Sequence, residues 1–326
     1  MDFSSAEPPT VCHVVAMPFP GRGHINPMMN LCKLLSSKRH DFIITLVVTE
    51  EWLGYIGSDP KPNNIRFASI PNVVPPERLK AVDFPGFYEA TMTKMEAPFE
   101  QLLDRLEPPV DAILDNSSIT TSHNDPNYLQ WLDSQSTGSI LYISLGSFLS
   151  VSGAQMDEIV VGLRNSDVRF LWVARGEASR LKESCGDMGL VVPWCDQLKV
   201  LCHPSIGGFW THCGWNSTLE SIFAGIPMLT FPLFLDQLPI SRLIVEDWKI
   251  GWRVKRSKVG SEMFVTKEEI SELVQRFMSV ESGESKELRE RARGLKDICR
   301  QAIIEGGSSY TNLDAFVESI ALSHNH

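Results

Sequence analysis

A short polar turn in the second half of the chain has the residue types of a phosphate site. It runs from His212 to Ser217 as His-Cys-Gly-Trp-Asn-Ser, between an apolar segment at 206–210 and a predicted helix at 218–224 that Gly225 would end. A strand that enters a small-residue turn before a helix directs free backbone N–H groups and the positive end of the helix dipole to one point. The pattern therefore predicts an anion site, and phosphate is the usual anion.

Side chains on both sides of this turn could bind the rest of a nucleotide sugar. Trp194 offers a flat apolar face to a base, and Gln197 could recognise the edge of that base. Glu220 could accept hydrogen bonds from a ribose diol, while Asp236 and Gln237 offer a carboxylate and an amide to sugar hydroxyls. Together with the turn, these residues predict sites for a base, a ribose, a diphosphate and a sugar.

The stretch from Trp194 to Gln237 resembles the signature box of plant UDP-dependent (family 1) glycosyltransferases in both length and spacing. The resemblance implies that Trp194 stacks on uracil, that Gln197 lies along the uridine and that Glu220 holds the ribose. The diphosphate would meet His212, Gly214, Asn216 and Ser217, with Gly146 and Ser147, and the sugar would meet Trp215, Asp236 and Gln237. The pair Trp215 and Gln237 resembles glucose-using members, so UDP-glucose is the expected donor.

A glycine loop after the first predicted strand holds a candidate catalytic base. In the resembling family a Gly-His-x-x-Pro loop carries this base, and Gly23, His24 and Pro27 match it. The ordinary pKa of histidine, near 6.5, suits a base at neutral pH. The family also places an aspartate behind the histidine. Asp115, at the end of a strand predicted at 110–115, is the candidate, with a spacing one residue shorter than the family pattern.

The same loop allows a second interpretation. Gly21, Gly23 and Asn26 nearly match the Gly-x-Gly-x-x-Gly fingerprint of dinucleotide-binding folds, and the second predicted strand leads to Glu50 and Glu51, where a dehydrogenase would bind ribose. An NAD-type oxidoreductase is therefore the alternative from this region alone. Asn26 in place of the third glycine, together with the uridine-type box, disfavours it.

The composition limits the class of protein. A net charge of −10 over 326 residues disfavours a nucleic-acid partner. Seven scattered cysteines favour free thiols in a reducing compartment, and neither a signal peptide nor an apolar run of ~18 residues is apparent. We expect a cytoplasmic monomer without a membrane span. Because no Asp-x-Asp motif is present, we expect neither a metal nor a cofactor, with the UDP-sugar as co-substrate.

Strands and helices alternate in two blocks, which predicts an α/β protein. The resemblance implies a GT-B arrangement: two Rossmann-like, doubly wound lobes that face a cleft. We assign residues 1–115 to an acceptor-side lobe, 116–127 to a linker and 128–326 to a UDP-sugar-binding lobe. The first lobe shows only three or four strands, so we expect its sheet to be incomplete and to have fewer strands than the second.

These patterns predict an inverting transfer of a sugar from a UDP-sugar to a hydroxyl of a small lipophilic acceptor. His24 would take the proton of that hydroxyl, and the helix N-terminus after Gly214 would stabilise the leaving UDP. Because the first lobe is short, the alternative is a truncated, catalytically weak protein that binds UDP-sugars without efficient turnover.

Overall fold

Runs of buried apolar residues, separated by amphipathic helices, form two parallel sheets in two separate units. The computed structural model describes residues 11–76, 83–115, 127–146, 151–174, 177–255, 257–259 and 262–323. The first unit comprises Met1–Thr121 and Glu305–His326, and the second comprises Ser122–Ile304. Most of the predicted linker, residues 116–126, lies outside the described residues.

The first unit is built on a four-stranded parallel sheet of order β3-β2-β1-β4. Its elements are β1 (Cys12–Met17), α1 (Arg22–Lys38), β2 (Phe42–Thr49), α2 (Glu50–Ile56), β3 (Ile65–Ile70), α3 (Phe84–Lys94), α4 (Glu96–Leu103), β4 (Ala112–Asp115) and, from the end of the chain, α13 (Ser308–Ser323).

Both faces of this sheet are covered, because alternate residues of a strand point to opposite sides. Val14 of β1 packs in the cluster that includes α1, α2 and α13, whereas its neighbour Val15 packs in the cluster that includes α3. Ile320 of α13 is buried in the first of these clusters. The predicted second lobe, 128–326, therefore needs a correction: residues 305–326 belong to the first unit, since the apolar face of α13 is buried there.

The second unit is built on a six-stranded parallel sheet of order β10-β9-β8-β5-β6-β7, with a separate β11-β12 hairpin. Its elements are α5 (Asn127–Asp133), β5 (Ile140–Ser144), α6 (Gly153–Asn165), β6 (Arg169–Val173), α7 (Ala178–Cys185), β7 (Gly189–Val192), α8 (Gln197–Leu201), β8 (Ile206–Thr211), α9 (Trp215–Ala224), β9 (Met228–Thr230), α10 (Gln237–Arg242), β10 (Gly251–Arg253), β11 (Ser257–Val259), β12 (Glu262–Phe264), α11 (Lys267–Met278) and α12 (Gly283–Ile303).

The central strand β5 divides the core of the second unit into two clusters. Leu141 and Ile143 face one cluster, which α6 and α11 complete, and Ile140 and Tyr142 face the other, which α8 and α9 complete. The described parts of the two units thus have four and six strands in their main sheets. This confirms the expectation of fewer strands in the first sheet.

The segment predicted as a glycine loop is mostly part of helix α1. The helix starts at Arg22 and contains Pro27, so His24 lies in its first turn and not in an open loop. Pro27 is the sixth residue of α1, beyond the first four N–H groups that have no intrahelical acceptor, so its missing N–H removes one hydrogen bond from the second turn of the helix. In the parts of the chain that the structure describes, no helix is long and apolar enough to cross a membrane.

Candidate functional site

The predicted phosphate turn lies at the carboxyl end of β8, between β5 and β9 in the sheet. Cys213 has a positive φ of 68°, which turns the chain sharply, and α9 then begins at Trp215 with Gly214 as its N-cap residue. No side chain caps this end of α9, whereas Gly225 closes the other end in the left-handed conformation. The backbone donors of the first turn are therefore not occupied by a side-chain cap.

His212 lies close to two glycines. A Cβ on Gly214 would lie 2.5 Å from Nε2 of His212, and a Cβ on Gly146 would lie 2.9 Å from its Cδ2. Gly146 also has a positive φ of 93°, which a glycine adopts without strain. The imidazole thus fits because neither neighbour carries a side chain.

Burial controls the charge of this histidine. It lowers the pKa of His212 from 6.5 to about 4, and a hydrogen bond with the backbone of Ser144 opposes the shift only in part. At neutral pH the ring is therefore uncharged, so it can offer a hydrogen bond but no cation to a ligand. Within the described residues, Nδ1 of His212 is buried without a hydrogen-bond partner, which is rare for a buried polar atom.

Three of the predicted nucleotide-binding residues are hydrogen-bonded to one another. The side-chain Nε2 of Gln197 donates to Oγ of Ser217 at 2.9 Å and to Oε2 of Glu220 at 2.6 Å. The Oε1 of the same amide accepts from the hydroxyl of Tyr142 at 3.1 Å. Ser217 and Glu220 are both buried. Residues twenty or more positions apart in the chain thus form one network at the start of α8 and α9.

The residues predicted for the sugar lie around the start of α10. Gln237 is buried, and its Oε1 accepts from the backbone N–H groups of Leu233 at 2.8 Å and Phe234 at 3.3 Å. Because the amide oxygen is already occupied, the NH₂ group is the part left for a ligand. Asp236 is exposed at the N-cap position of α10.

Two tryptophans that were predicted as site residues have partly exposed side chains. Trp194, half-buried, lies in the segment between β7 and α8. Trp215 is 40% exposed, and its ring centre lies 6.5 Å from that of Trp248, which the sequence did not indicate as a site residue. Asn216 follows Trp215 in the first turn of α9, and Ser147 lies outside the described residues.

His24 belongs to the first unit and lies next to an aromatic side chain. It is exposed, and its ring centre lies 5.1 Å from that of Phe19, in the loop between β1 and α1. The ring of Phe19 is in turn 5.9 Å from Phe87 and 6.4 Å from Tyr88, and Tyr88 is 6.0 Å from Phe84. We call Phe19, Phe84, Phe87 and Tyr88 the aromatic cluster. Sequence reasoning did not single it out, although Phe84 and Tyr88 have the spacing of neighbours on a helix face.

Asp115 is the last residue of β4. Its backbone pairs in register with Met17, the last residue of β1. The parallel strands β1 and β4 therefore end at the same edge of the sheet, the edge from which the loop to His24 departs.

Comparisons with known proteins show to which family the chain is similar. The family model for UDP-glucoronosyl and UDP-glucosyl transferase matches residues 106–266. UDP-glycosyltransferase 87A2 of Arabidopsis thaliana is 40% identical over 452 aligned positions, which cover 98% of this chain and 99% of that protein. An anthocyanidin 3-O-glucoside 5-O-glucosyltransferase of Verbena hybrida is 39% identical over 75% of this chain and 52% of its own length. The solved structure of Os79 from O. sativa in complex with UDP has a TM-score of 0.80 and 22% identity, and the match covers 94% of this chain and 100% of that one.

Two parallel α/β units of this kind, together with the similarity to this solved structure, show the GT-B fold. The similarity in sequence shows that the chain belongs to the plant UDP-glycosyltransferase family. Members of this family transfer a sugar from a UDP-sugar to an acceptor.

The alignment with the Arabidopsis protein also shows that this chain lacks internal segments that the Arabidopsis protein has. It extends over 452 positions, although the chain has only 326 residues. More than a hundred positions of the alignment therefore have no counterpart here. Because the alignment spans nearly all of both proteins, these positions are gaps within the aligned region.

Proposed function

We propose that this protein transfers glucose from UDP-glucose to a hydroxyl group of a small lipophilic acceptor, with inversion at the anomeric carbon. The observation that carries the donor assignment is the network of Gln197, Ser217 and Glu220. These residues were predicted to meet the uridine, the diphosphate and the ribose, and such a ligand needs them to be adjacent. The name of the Verbena relative, which states glucosyl transfer, supports glucose as the sugar.

The diphosphate would bind at the first turn of α9. Its oxygens would accept hydrogen bonds from the backbone N–H groups after Gly214, from Asn216 and from Ser217. A diphosphate oxygen beside His212 would select the imidazole tautomer that carries the proton on Nδ1, the nitrogen that is buried without a partner among the described residues. Gly146 and Ser147 would complete this part of the site.

Trp194 would stack on the uracil, and Glu220 would accept from the ribose hydroxyls. At the sugar, the NH₂ group of Gln237 would donate to a hydroxyl, because its amide oxygen is held by two backbone N–H groups. Asp236 would accept from a neighbouring hydroxyl, and Trp215 would contact the sugar ring.

In the chemical step, the oxygen of the acceptor hydroxyl would form a bond to the anomeric carbon while His24 removes the proton of that hydroxyl. The bond between that carbon and the UDP oxygen breaks, and UDP leaves with the electron pair, which the donors at α9 stabilise. Asp115 would orient His24 and stabilise its charged form. The register of Asp115 with Met17 supports this assignment, because it puts the two predicted catalytic residues at one edge of the sheet. We propose that neither a metal nor a cofactor takes part.

A lipophilic acceptor is supported by the aromatic cluster beside His24. Tyr88 is 48% exposed on this cluster, and Met92, one helical turn further on, is 61% exposed. Exposed apolar side chains grouped next to a polar reactive group are typical of a site for an apolar molecule with one functional group. The aromatic rings would hold the body of the acceptor and leave its hydroxyl at His24.

The second candidate function is that of a protein that binds UDP-sugars but transfers them poorly. The observations that favour it are the four-stranded first sheet and the gaps relative to the Arabidopsis protein. Transfer requires the acceptor oxygen to lie about 3–3.5 Å from the anomeric carbon, and this positioning lowers the barrier by many kcal/mol. A protein whose first unit lacks part of its acceptor-binding elements would still bind the donor, but its rate of sugar transfer would be lower.

Two measurements on the purified protein separate these functions. Turnover is followed with UDP-glucose, with UDP-galactose and with a simple flavonol as acceptor, for the wild type, His24→Ala and His40→Ala. His40 is also an exposed histidine of the first unit and serves as the control. The proposed transferase should prefer UDP-glucose and lose its activity only in His24→Ala. Faster transfer of galactose would contradict the sugar assignment.

Calorimetry with UDP tests the donor site independently of turnover. Trp194→Ala should weaken UDP binding by about 1–3 kcal/mol, the range for a lost stacking contact with a base. Trp131→Ala, which removes a half-buried tryptophan elsewhere in the second unit, should leave the affinity unchanged. UDP binding without turnover would favour the weak binder, and equal UDP affinity in wild type and Trp194→Ala would contradict the site.

We propose the cytosol as the compartment. The support is that all seven cysteines lie in the described residues as free thiols, which suits a reducing environment. The monomeric state stays a prediction.

A further inference from the structure

Tyr142, in the middle of β5, is a buried polar residue that the donor-site assignment does not use. It is fully buried, and its ring stacks on Phe209 of β8 with ring centres 4.9 Å apart and planes 18° from parallel. Its hydroxyl lies 3.1 Å from Oε1 of Gln197 and 3.4 Å from Sγ of Cys195. Burial raises the pKa of Tyr142 well above 10, so the hydroxyl keeps its proton and remains a donor.

The Tyr142 hydroxyl at one end and the Glu220 carboxylate at the other favour one orientation of the Gln197 amide. An amide has an acceptor oxygen at one end and a donor NH₂ at the other. With the Tyr142 hydroxyl bound to Oε1, the NH₂ group faces Ser217 and Glu220, and both of its N–H bonds are used there. The opposite orientation would bring the amide oxygen against the Glu220 carboxylate, where two acceptors repel each other, and the Tyr142 hydroxyl would no longer donate to the amide.

The orientation of Gln197 has consequences for the two residues that it contacts. Oγ of Ser217 accepts from Gln197, so the hydroxyl proton of Ser217 is free to be donated elsewhere. One oxygen of Glu220 is held by Gln197, which restricts the carboxylate to a single orientation. A chain of hydrogen bonds with one direction therefore runs from Tyr142 through Gln197 to Ser217, with a branch to Glu220.

We propose that Tyr142 is a positioning residue of the donor site. Its hydroxyl fixes the amide of Gln197, and through that amide it sets Ser217 as a donor to the diphosphate and Glu220 as an acceptor for the ribose. This inference rests on the proposed function, because it takes a uridine diphosphate as the ligand. Tyr142 does not itself contact the nucleotide.

A double-mutant cycle on UDP affinity tests whether Tyr142 acts through Gln197. The dissociation constant of UDP is measured by calorimetry for the wild type, Tyr142→Phe, Gln197→Ala and the double variant. Tyr142→Phe keeps the stacked ring and removes one hydrogen bond, so the Kd should rise about five-fold. In the Gln197→Ala background the same change should have an effect of less than about two-fold, because the group that Tyr142 orients is absent.

A merely structural role gives a different pattern. If Tyr142 only stabilised β5, its loss would have the same effect on the Kd in both backgrounds, and that result would overturn the proposal, as would an unchanged Kd in Tyr142→Phe. The control is Thr45→Val, which removes a buried hydroxyl bound to His13 at 2.8 Å in the first unit, and it should leave the Kd unchanged. Thermal unfolding of every variant shows whether it is folded at the assay temperature.

A second variant keeps the test decisive if Tyr142→Phe does not fold. In Gln197→Glu the Tyr142 hydroxyl still holds one oxygen, so the other oxygen replaces the NH₂ group beside Glu220, and the Kd of UDP should rise about ten-fold or more. An unchanged Kd would overturn the proposed orientation. Absence of UDP binding in the wild type would overturn the proposed function itself, whereas an additive cycle in a protein that binds UDP would overturn only the role of Tyr142.

Discussion

The close approach of His212 to Gly146 and Gly214 leads to the prediction with the most direct geometric basis. In Gly214→Ala, the new Cβ would lie 2.5 Å from Nε2 and 2.9 Å from Cε1 of the imidazole. Ordinary contact between such atoms is about 3.5–4.0 Å, so the ring has to move by roughly 1 Å. The backbone of Gly146 also lies close to the ring, since a Cβ there would be only 2.9 Å from Cδ2, so the space into which the ring can move is limited.

We expect two measurable effects of Gly214→Ala. Overpacking of a buried site lowers the free energy of unfolding by about 1–3 kcal/mol, which urea denaturation detects. Displacement of His212 from the start of α9 should also raise the Kd of UDP about ten-fold, or about 1.4 kcal/mol, which calorimetry detects. The φ of Gly214 is −62°, so alanine adds no backbone strain and the effect is due to the contact with His212.

Gly153→Ala is the matched control in the same unit. Gly153 is the first residue of α6, and nothing lies within 4 Å of the position of its Cβ. Its substitution should leave the UDP affinity unchanged and the stability equal or slightly higher, since alanine favours a helix over glycine. If Gly214→Ala binds UDP as tightly as Gly153→Ala does, the position of His212 does not matter for the diphosphate and the reasoning is refuted.

Three further predictions follow from burial and charge. Between pH 6.5 and about 4, the unfolded chain protonates His212 while the folded chain does not, so the free energy of unfolding should fall over this range as the pH is lowered. His212→Asn should reduce the difference between urea midpoints at about pH 7 and about pH 5, and an unchanged difference would argue against a buried neutral imidazole. Tyr88→Ala should raise the KM for a flavonol several-fold and leave the KM for UDP-glucose unchanged, as measured from initial rates. A change in the KM for UDP-glucose alone would show that the aromatic cluster is not part of the acceptor site. Ile320→Ala should lower the free energy of unfolding by about 2–5 kcal/mol because Ile320 is buried in the first unit, whereas Ile304→Ala, at a residue that is 52% exposed, should have little effect; equal effects would contradict the assignment of α13 to that unit.

Much of the second unit could be predicted from the sequence because its signals are local. The turn from His212 to Ser217 and the stop at Gly225 mark a strand, a turn and a helix within a short stretch, and the structure has these elements in that order. The start of α1 could not be predicted as well. The Gly-His-x-x-Pro pattern indicated a loop, but α1 already starts at Arg22 and includes His24 and Pro27. Burial of Ile25 and Met28 in the core of the first unit favours the helix in spite of the hydrogen bond that the proline removes.

The sequence by itself determined the family, the order of the elements and the residue types of the donor site, because these depend on spacing along the chain. Only the tertiary structure decided which of those side chains touch. Gln197 and Glu220 are 23 positions apart, and their hydrogen bond exists because the parallel sheet brings the starts of α8 and α9 together. Tyr142 looks like an ordinary core residue in an apolar strand, and its hydroxyl gains a partner only from that packing. The amphipathic pattern of α13 likewise shows that one face is buried but not which unit buries it, because periodicity carries no information about distant partners.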